Sequence, residues 1–326
     1  MPASILNLAF FQGLVLLSFV GGMLARRRAG PQADLNRTLV RINLIVFEPV
    51  IVFWATWGLA PDPAQLILPL GGLIFVLWGF ACAAAFARVF FSRGALQLGP
   101  LRRPVYLISG SLGNHGFTLC GTLAFLWLGE NGLGLAAIFT LYFTPYVFLF
   151  IFPYAESAAS ASADGASRRT PIWRQWLSWN YLPLYATLLA LALVFGGVPR
   201  PDWQLPVHWL LVPTVSLYYL TLGLSFNSRS WLLNWPTIFS FAAIKFALIP
   251  AICGLFLLAL KLLFAYELAA DYEALLWIMA FAPAATYSVV ASVLYRLDED
   301  FAAELFVTNV GVFLIGVLPV LAWWWA

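Results

Sequence analysis

Charge is what this sequence has least of. Asp, Glu, Lys and Arg make up 10% of its 326 residues, against about 25% in a soluble domain. Hydrophobic residues make up 63%, and mean hydropathy is +0.89. A water-facing surface cannot be built from so few charges, so most of the surface must face lipid. Cysteine and histidine are equally sparse. Cys82, Cys120 and Cys253 each lie inside an apolar stretch and form no CxxC pair, which predicts neither a disulfide framework nor a metal site. The two histidines, His115 and His208, are far apart. The chain also lacks GxxxxGK[ST], HExxH and GxSxG, and its connections are too short to hold a nucleotide-binding domain. These absences argue against an enzyme, an ATP-driven pump and any cofactor, and nothing suggests a nucleic-acid partner.

Apolar runs are abundant instead. A helix needs about 20 apolar residues to cross the hydrocarbon core. Ten stretches qualify: residues 4–24, 40–58, 66–88, 104–128, 133–153, 180–197, 207–226, 237–262, 274–295 and 303–325. The first has no basic n-region and ends in Arg26-Arg27-Arg28, so it reads as a span and not as a removed signal. Odd-numbered connections carry fourteen arginines, Arg26, Arg37, Arg88, Arg93, Arg102, Arg168, Arg169, Arg174, Arg229 and Arg296 among them. The other side has Arg200 and Lys261, and Lys245 is inside a span. Positive charge stays inside, which predicts a multi-pass protein with both termini outside. Trp54, Trp57, Trp127, Trp277, Trp323, Trp324 and Trp325 fall near span ends, as an interfacial belt requires.

Residues 154–179 contain "AESAASASADGASRR", a Ser/Ala/Gly composition expected of a flexible cytoplasmic linker. It divides the chain into 1–153 and 180–326, five spans each. Pro49 and Pro213 lie 164 residues apart, and Asn114 and Pro283 lie 169 apart. Interruptions recurring at one offset suggest a repeat, and an odd number of spans per half makes the second copy inverted. Inverted repeats with broken helices are the mark of secondary transporters.

Chemistry is concentrated in three places. "SGSLGNHGFTLCG" puts Gly110, Gly113, Gly116 and Gly121 at the centre of span 4, around Asn114 and His115. Glycine lets a helix unwind and another backbone approach, and freed backbone groups are tolerated in a membrane only against protein or a cavity. Gly113, Asn114, His115 and Gly116 are therefore candidate substrate-binding residues. The competing reading is close helix packing with one interhelical amide bond. His115 is either a proton carrier or a neutral histidine satisfied by a carbonyl. "FAPAATYSVV" breaks span 9 at Pro283, with Thr286, Tyr287 and Ser288 as further substrate-binding candidates; the alternative is a kink with hydroxyls bonded back to their own helix. Glu48 and Lys245 are charges about 12–15 Å deep at 1.5 Å per residue. Each needs a partner, as a coupling residue, an attractor for an anion, or one half of a buried pair. His208 is expected at the interface, and Asp298-Glu299-Asp300 in a solvated loop or helix cap.

With these residues in place, the chain resembles the auxin efflux carrier family, which includes bacterial organic-acid permeases and the plant auxin exporters. The resemblance rests on "FVGGMLARRRAGPQADLNRTLVRINLIVFEPVIVF", on "GSLGNHGFTLCGTLAFLWLGENGLGLAAIF" with its Asn-x-Gly-Phe pattern, and on "FAPAATYSVVASVLYRLDEDFAAELFVTNVGVFLIGVLPVL". It implies an all-α protein of ten helices in two inverted five-helix repeats. Helices 1, 2, 6 and 7 would form a scaffold. Helices 3–5 and 8–10 would form a transport domain in which 4 and 9 cross, moving like an elevator within a homodimer. Asn114 matches the crossover asparagine and Pro283 the second crossover proline. Many members carry a proline after the glycine of helix 4, where Thr122 follows Gly121 here, so the first break would rest on glycine flexibility.

The expected function is transport of a small organic anion, a carboxylate, across the bacterial cytoplasmic membrane, proton-coupled or facilitated. The expected partners are that anion, membrane lipids and a second copy of the chain. A sodium-coupled bile-acid-type carrier and a membrane ligand sensor that does not transport are the alternatives.

Overall fold

The computed structural model describes residues 3–59, 62–90, 97–116, 119–162, 176–201, 207–227, 235–264 and 266–325. Arg93, Arg168, Arg169, Arg174, Arg229, most of the expected linker and Phe117 of the Asn-x-Gly-Phe pattern lie outside them, as do the side chains of His208, Trp324 and Trp325. The described residues are almost entirely helical. In chain order the helices are α1 (Ala3–Ala29), α2 (Ala33–Trp57), α3 (Pro63–Val89), α4 (Arg102–Ser111), α5 (Cys120–Gly129), α6 (Asn131–Ala161), α7 (Trp179–Phe195), α8 (Val207–Ser225), α9 (Trp235–Phe264), α10 (Ala270–Ala280), α11 (Thr286–Tyr295) and α12 (Glu299–Trp323). Five of them, α2, α3, α6, α9 and α12, are long and apolar enough to cross a membrane. Large apolar side chains stand on their outer faces, with Ile315 and Trp323 each 83% exposed, a surface suited to lipid and not to water.

Prolines shape four of these helices in one way. Wide π turns cover Asn43–Phe47, Val147–Ile151, Ile244–Leu248 and Phe313–Val317. Each ends two residues before a proline: Pro49, Pro153, Pro250 or Pro319. Proline has no N–H to donate and its ring presses on the carbonyl four residues back. Widening the preceding turn relieves that clash without ending the helix. Asn43 and Lys245, both buried, sit on two of these turns.

Close backbone approaches hold the bundle. α1 runs along α8, and a Cβ added at Gly22 or Gly223 would overlap the Leu220 or Phe19 carbonyl oxygen of the opposite helix. α2 packs on α7, and α3 on α4, where a Cβ on Gly79 would come within 2.5 Å of the Gly110 carbonyl oxygen. A continuous apolar core that includes Phe75, Tyr106, Phe139, Phe148, Met279 and Phe301 runs through the molecule.

At one end, charges join five helix termini. Arg26 of α1 makes a forked pair with Asp300, both contacts 2.7 Å, and also donates to the Leu224 and Ser225 carbonyls. Arg102 at the start of α4 meets Asp298 at 2.7 Å, and Asn36 of α2 donates to Ser225 Oγ and Glu299. Asp298 also accepts from the Phe301 N–H. The acidic run is thus a helix cap, as expected, but it also ties termini together instead of sitting in a solvated loop. At the far end, Trp57 donates to the Val198 carbonyl and Arg200 lies over the ring of Trp54, 5.2 Å from its centre. Trp54 is buried, so it packs inward and is no part of a lipid-facing belt.

Candidate functional site

Two chain breaks meet at the centre of the bundle. α4 stops at Ser111 and α5 begins at Cys120; α10 stops at Ala280 and α11 begins at Thr286. The intervening stretches pair as a single antiparallel bridge between Gly113 and Ala284. The Asn114 N–H donates to the Pro283 carbonyl at 2.7 Å, and the Ala285 N–H donates to the Leu112 carbonyl at 3.1 Å. Unwinding frees backbone groups that cannot stay unpaired away from water, and here each break satisfies the other.

Side chains from neighbouring helices complete the pairing. Lys245 Nζ donates to the Leu112 carbonyl at 2.7 Å, and Asn309 Oδ1 accepts from the Ala284 N–H at 2.8 Å. His115 bridges the Tyr142 hydroxyl at 2.6 Å through Nδ1 and the Met279 carbonyl at 3.1 Å through Nε2. A carbonyl only accepts, so Nε2 donates to it. His115 thus ties the break to Tyr142 of α6 and to the end of α10.

Glycine acts here by size. No glycine of span 4 has a positive φ, so the break does not depend on a left-handed conformation. A Cβ on Gly113 would lie 2.5 Å from His115 Nε2 and 3.2 Å from Ala282 Cβ. The bare backbone is what lets the two stretches and the histidine share one place.

One wall of a cavity of about 300 Å³ is this bridge. Gly113, Asn114, His115, Gly116, Thr286 and Tyr287 line it, joined by Thr140 and Thr144 of α6. Glu48, Val52 and Thr56 of α2, Thr187 of α7, and Thr214 and Tyr218 of α8 line it as well, with the Tyr218 ring 5.8 Å from that of Tyr287. The cavity surface is mostly apolar, with hydroxyls spaced along it, and it reaches Leu59 beyond the end of α2. Small apolar cavities with a few convergent polar groups are the usual form of a ligand site. Compared with known protein families and with curated proteins, the chain gives no match to either.

The sequence-predicted residues divide. Six of the eight substrate-binding candidates line the cavity. Pro283 does not; its carbonyl is used in the bridge. Ser288 does not either: its hydroxyl donates to the Ala285 carbonyl at 2.8 Å and is fully buried, which is the back-bonding alternative. Glu48 and Lys245 do not pair. Glu48 accepts from the Tyr218 hydroxyl, while Lys245 faces the break and lies outside the cavity lining. Among the described residues no group of three His, Cys, Asp or Glu side chains could hold a metal.

The two half-helices that begin at the breaks differ. The Cys120 and Gly121 N–H groups, at the start of α5, already donate to the Asn114 and Gly116 carbonyls at 3.3 and 3.0 Å. At the start of α11, Thr286 and Tyr287 reach the cavity; the Ser288 N–H donates to the Ala285 carbonyl at 3.1 Å, and the Thr286 and Tyr287 N–H groups have no carbonyl of their own helix to meet. Thr140, Thr144, Thr214 and Tyr218 went unnoticed in the sequence. The available signal was hydroxyl residues four apart on an apolar helix, which lie on one face.

Proposed function

We propose that the protein is a secondary transporter of a small carboxylate, of the auxin efflux carrier type, embedded in a bacterial cytoplasmic membrane with both termini outside. The observation that carries this reading is the bridge between two broken helices standing as one wall of a mostly apolar cavity. Broken helices meeting at mid-bundle are how carriers present helix termini to a substrate. The start of α11 then offers the substrate carboxylate N–H groups and the positive end of a helix dipole, and Asn114 orients it.

The chain on this reading is ten spans in two inverted repeats. The recurrence of the proline device supports it: the π turns at Val147 and Phe313 begin 166 residues apart. The cavity walls also divide as an elevator requires. α2, α7 and α8 belong to the scaffold, while the bridge and α6 belong to the part that moves. Asp300 and Glu299 join the two parts at the inner end through Arg26 and Asn36, and the cavity reaches Leu59 at the outer one, an outward-facing arrangement. The carrier works as a homodimer, proton-coupled or by facilitated flux.

Uptake of labelled mono- and dicarboxylates, amino acids among them, into proteoliposomes tests this, with and without pH and sodium gradients. Saturable uptake of at least one acid, lost in Asn114→Ala with the protein still folded, is expected. Absence of flux for every acid from folded protein, or undiminished flux in Asn114→Ala, would overturn it.

A further inference from the structure

Among the described residues that line the cavity there is one acid, Glu48 of α2, and no Lys or Arg. Lys245 is turned to the Leu112 carbonyl, and both nitrogens of His115 are taken. The Tyr218 hydroxyl donates to Glu48 Oε2, and no described residue donates to Oε1. Tyr218 orients the carboxyl from α8, one turn beyond Thr214, and both residues line the cavity.

This arrangement suits a plain organic anion poorly. With Glu48 ionised, a second carboxylate in an apolar cavity would meet a like charge, and like charges repel strongly where water is scarce. A substrate with a carboxylate at one place and an ammonium at another removes the conflict. Its carboxylate meets the start of α11 and Asn114, its ammonium meets Glu48 Oε1, and its apolar body lies on Val52, Val215 and Leu141, which also line the cavity.

We propose that Glu48, held by Tyr218, is a second subsite that selects an ammonium group, so that the carrier's substrate is a zwitterionic amino acid and not a simple carboxylate. This rests on the carboxylate-carrier reading and adds a second group to the site.

The test is binding to detergent-purified protein by calorimetry, using matched compounds: 3-phenylpropionate, phenylalanine, phenethylamine, and a series of straight-chain acids with and without an α- or ω-amino group. The expected result is that an amino acid binds at least tenfold more tightly than its deaminated acid. Glu48→Gln reverses that order, weakening the amino acid and strengthening the plain acid, and Tyr218→Phe narrows the preference in the same direction. Equal binding of acid and amino acid, or an amino-acid preference that survives Glu48→Gln, overturns the subsite while leaving the carboxylate carrier standing. Tight binding of the amine without a carboxylate, lost in Glu48→Gln, keeps the subsite and overturns the carboxylate reading. Binding of none of these by folded protein overturns both.

Discussion

Lys245 and Leu112, 133 residues apart in sequence, meet through a 2.7 Å hydrogen bond from the lysine amino group to the main-chain carbonyl. The lysine is fully buried, and no carboxylate among the described residues shares it. The aromatic ring of Phe241, one turn back, is 6.0 Å away. A lone buried lysine amino group at a helix break is a fastening for backbone that has left the helix, and it sits on the wide turn at Ile244–Leu248.

Lys245→Met fills similar space but cannot donate. A hydrogen bond contributes about 0.5–1.5 kcal/mol net, so a loss of about that size is expected. Thermal unfolding in detergent will show it as a lower midpoint. The effect should add to that of Glu48→Gln, because the two residues share no partner. A double-mutant coupling of several kcal/mol would mean that they interact after all.

Gly113→Ala places a methyl group against the His115 ring and Ala282. Overpacking in a filled site costs about 1–3 kcal/mol. The variant should be less stable and bind substrate more weakly, since His115 or the bridge has to shift. Gly116→Ala is the matched control for stability: a Cβ there meets nothing within 4 Å, so its unfolding midpoint should stay near that of the parent.

Much of this was legible in the sequence. Hydropathy located the five helices long enough to cross a membrane, because a lipid-facing helix must be apolar along its whole length, and the coincidence of Asn114, His115 and glycines marked the first break. The pairing of that break with Pro283 was readable from one repeated offset. Ser288 misled because a hydroxyl beside a proline looks the same whether it faces a ligand or its own helix. Lys245 misled because sequence gives the depth of a charge but not its direction. Tyr218 stayed hidden because a tyrosine in an apolar helix carries no mark until its partner on the next helix, Glu48, is known.

Arg26→Ala and Asp300→Asn each break the forked pair between α1 and α12. Arg26 is 12% exposed and Asp300 34%, so salt screens the pair only in part. A coupling of about 1 kcal/mol is expected from the double-mutant cycle, diminishing at high ionic strength. A coupling that did not respond to salt would show that the two residues act through packing instead.

Gly223→Leu should be the most damaging single change outside the cavity. A side chain there meets the Phe19 carbonyl of α1, backbone that cannot rotate aside. The prediction is loss of folded protein in detergent, read by size-exclusion chromatography, with Gly223→Ala milder but still destabilising.

The bridge between the two breaks is made of main-chain atoms: the Asn114 and Ala285 amides and the Pro283 and Leu112 carbonyls. Architecture and recognition are therefore carried by different parts of the same residues. Side chains around the cavity are free to change over evolutionary time, and with them the substrate, while the joint underneath needs little more than smallness at Gly113 and a fastening at Leu112. Descendants of such a chain could change what the cavity accepts by a handful of substitutions and keep the same joint.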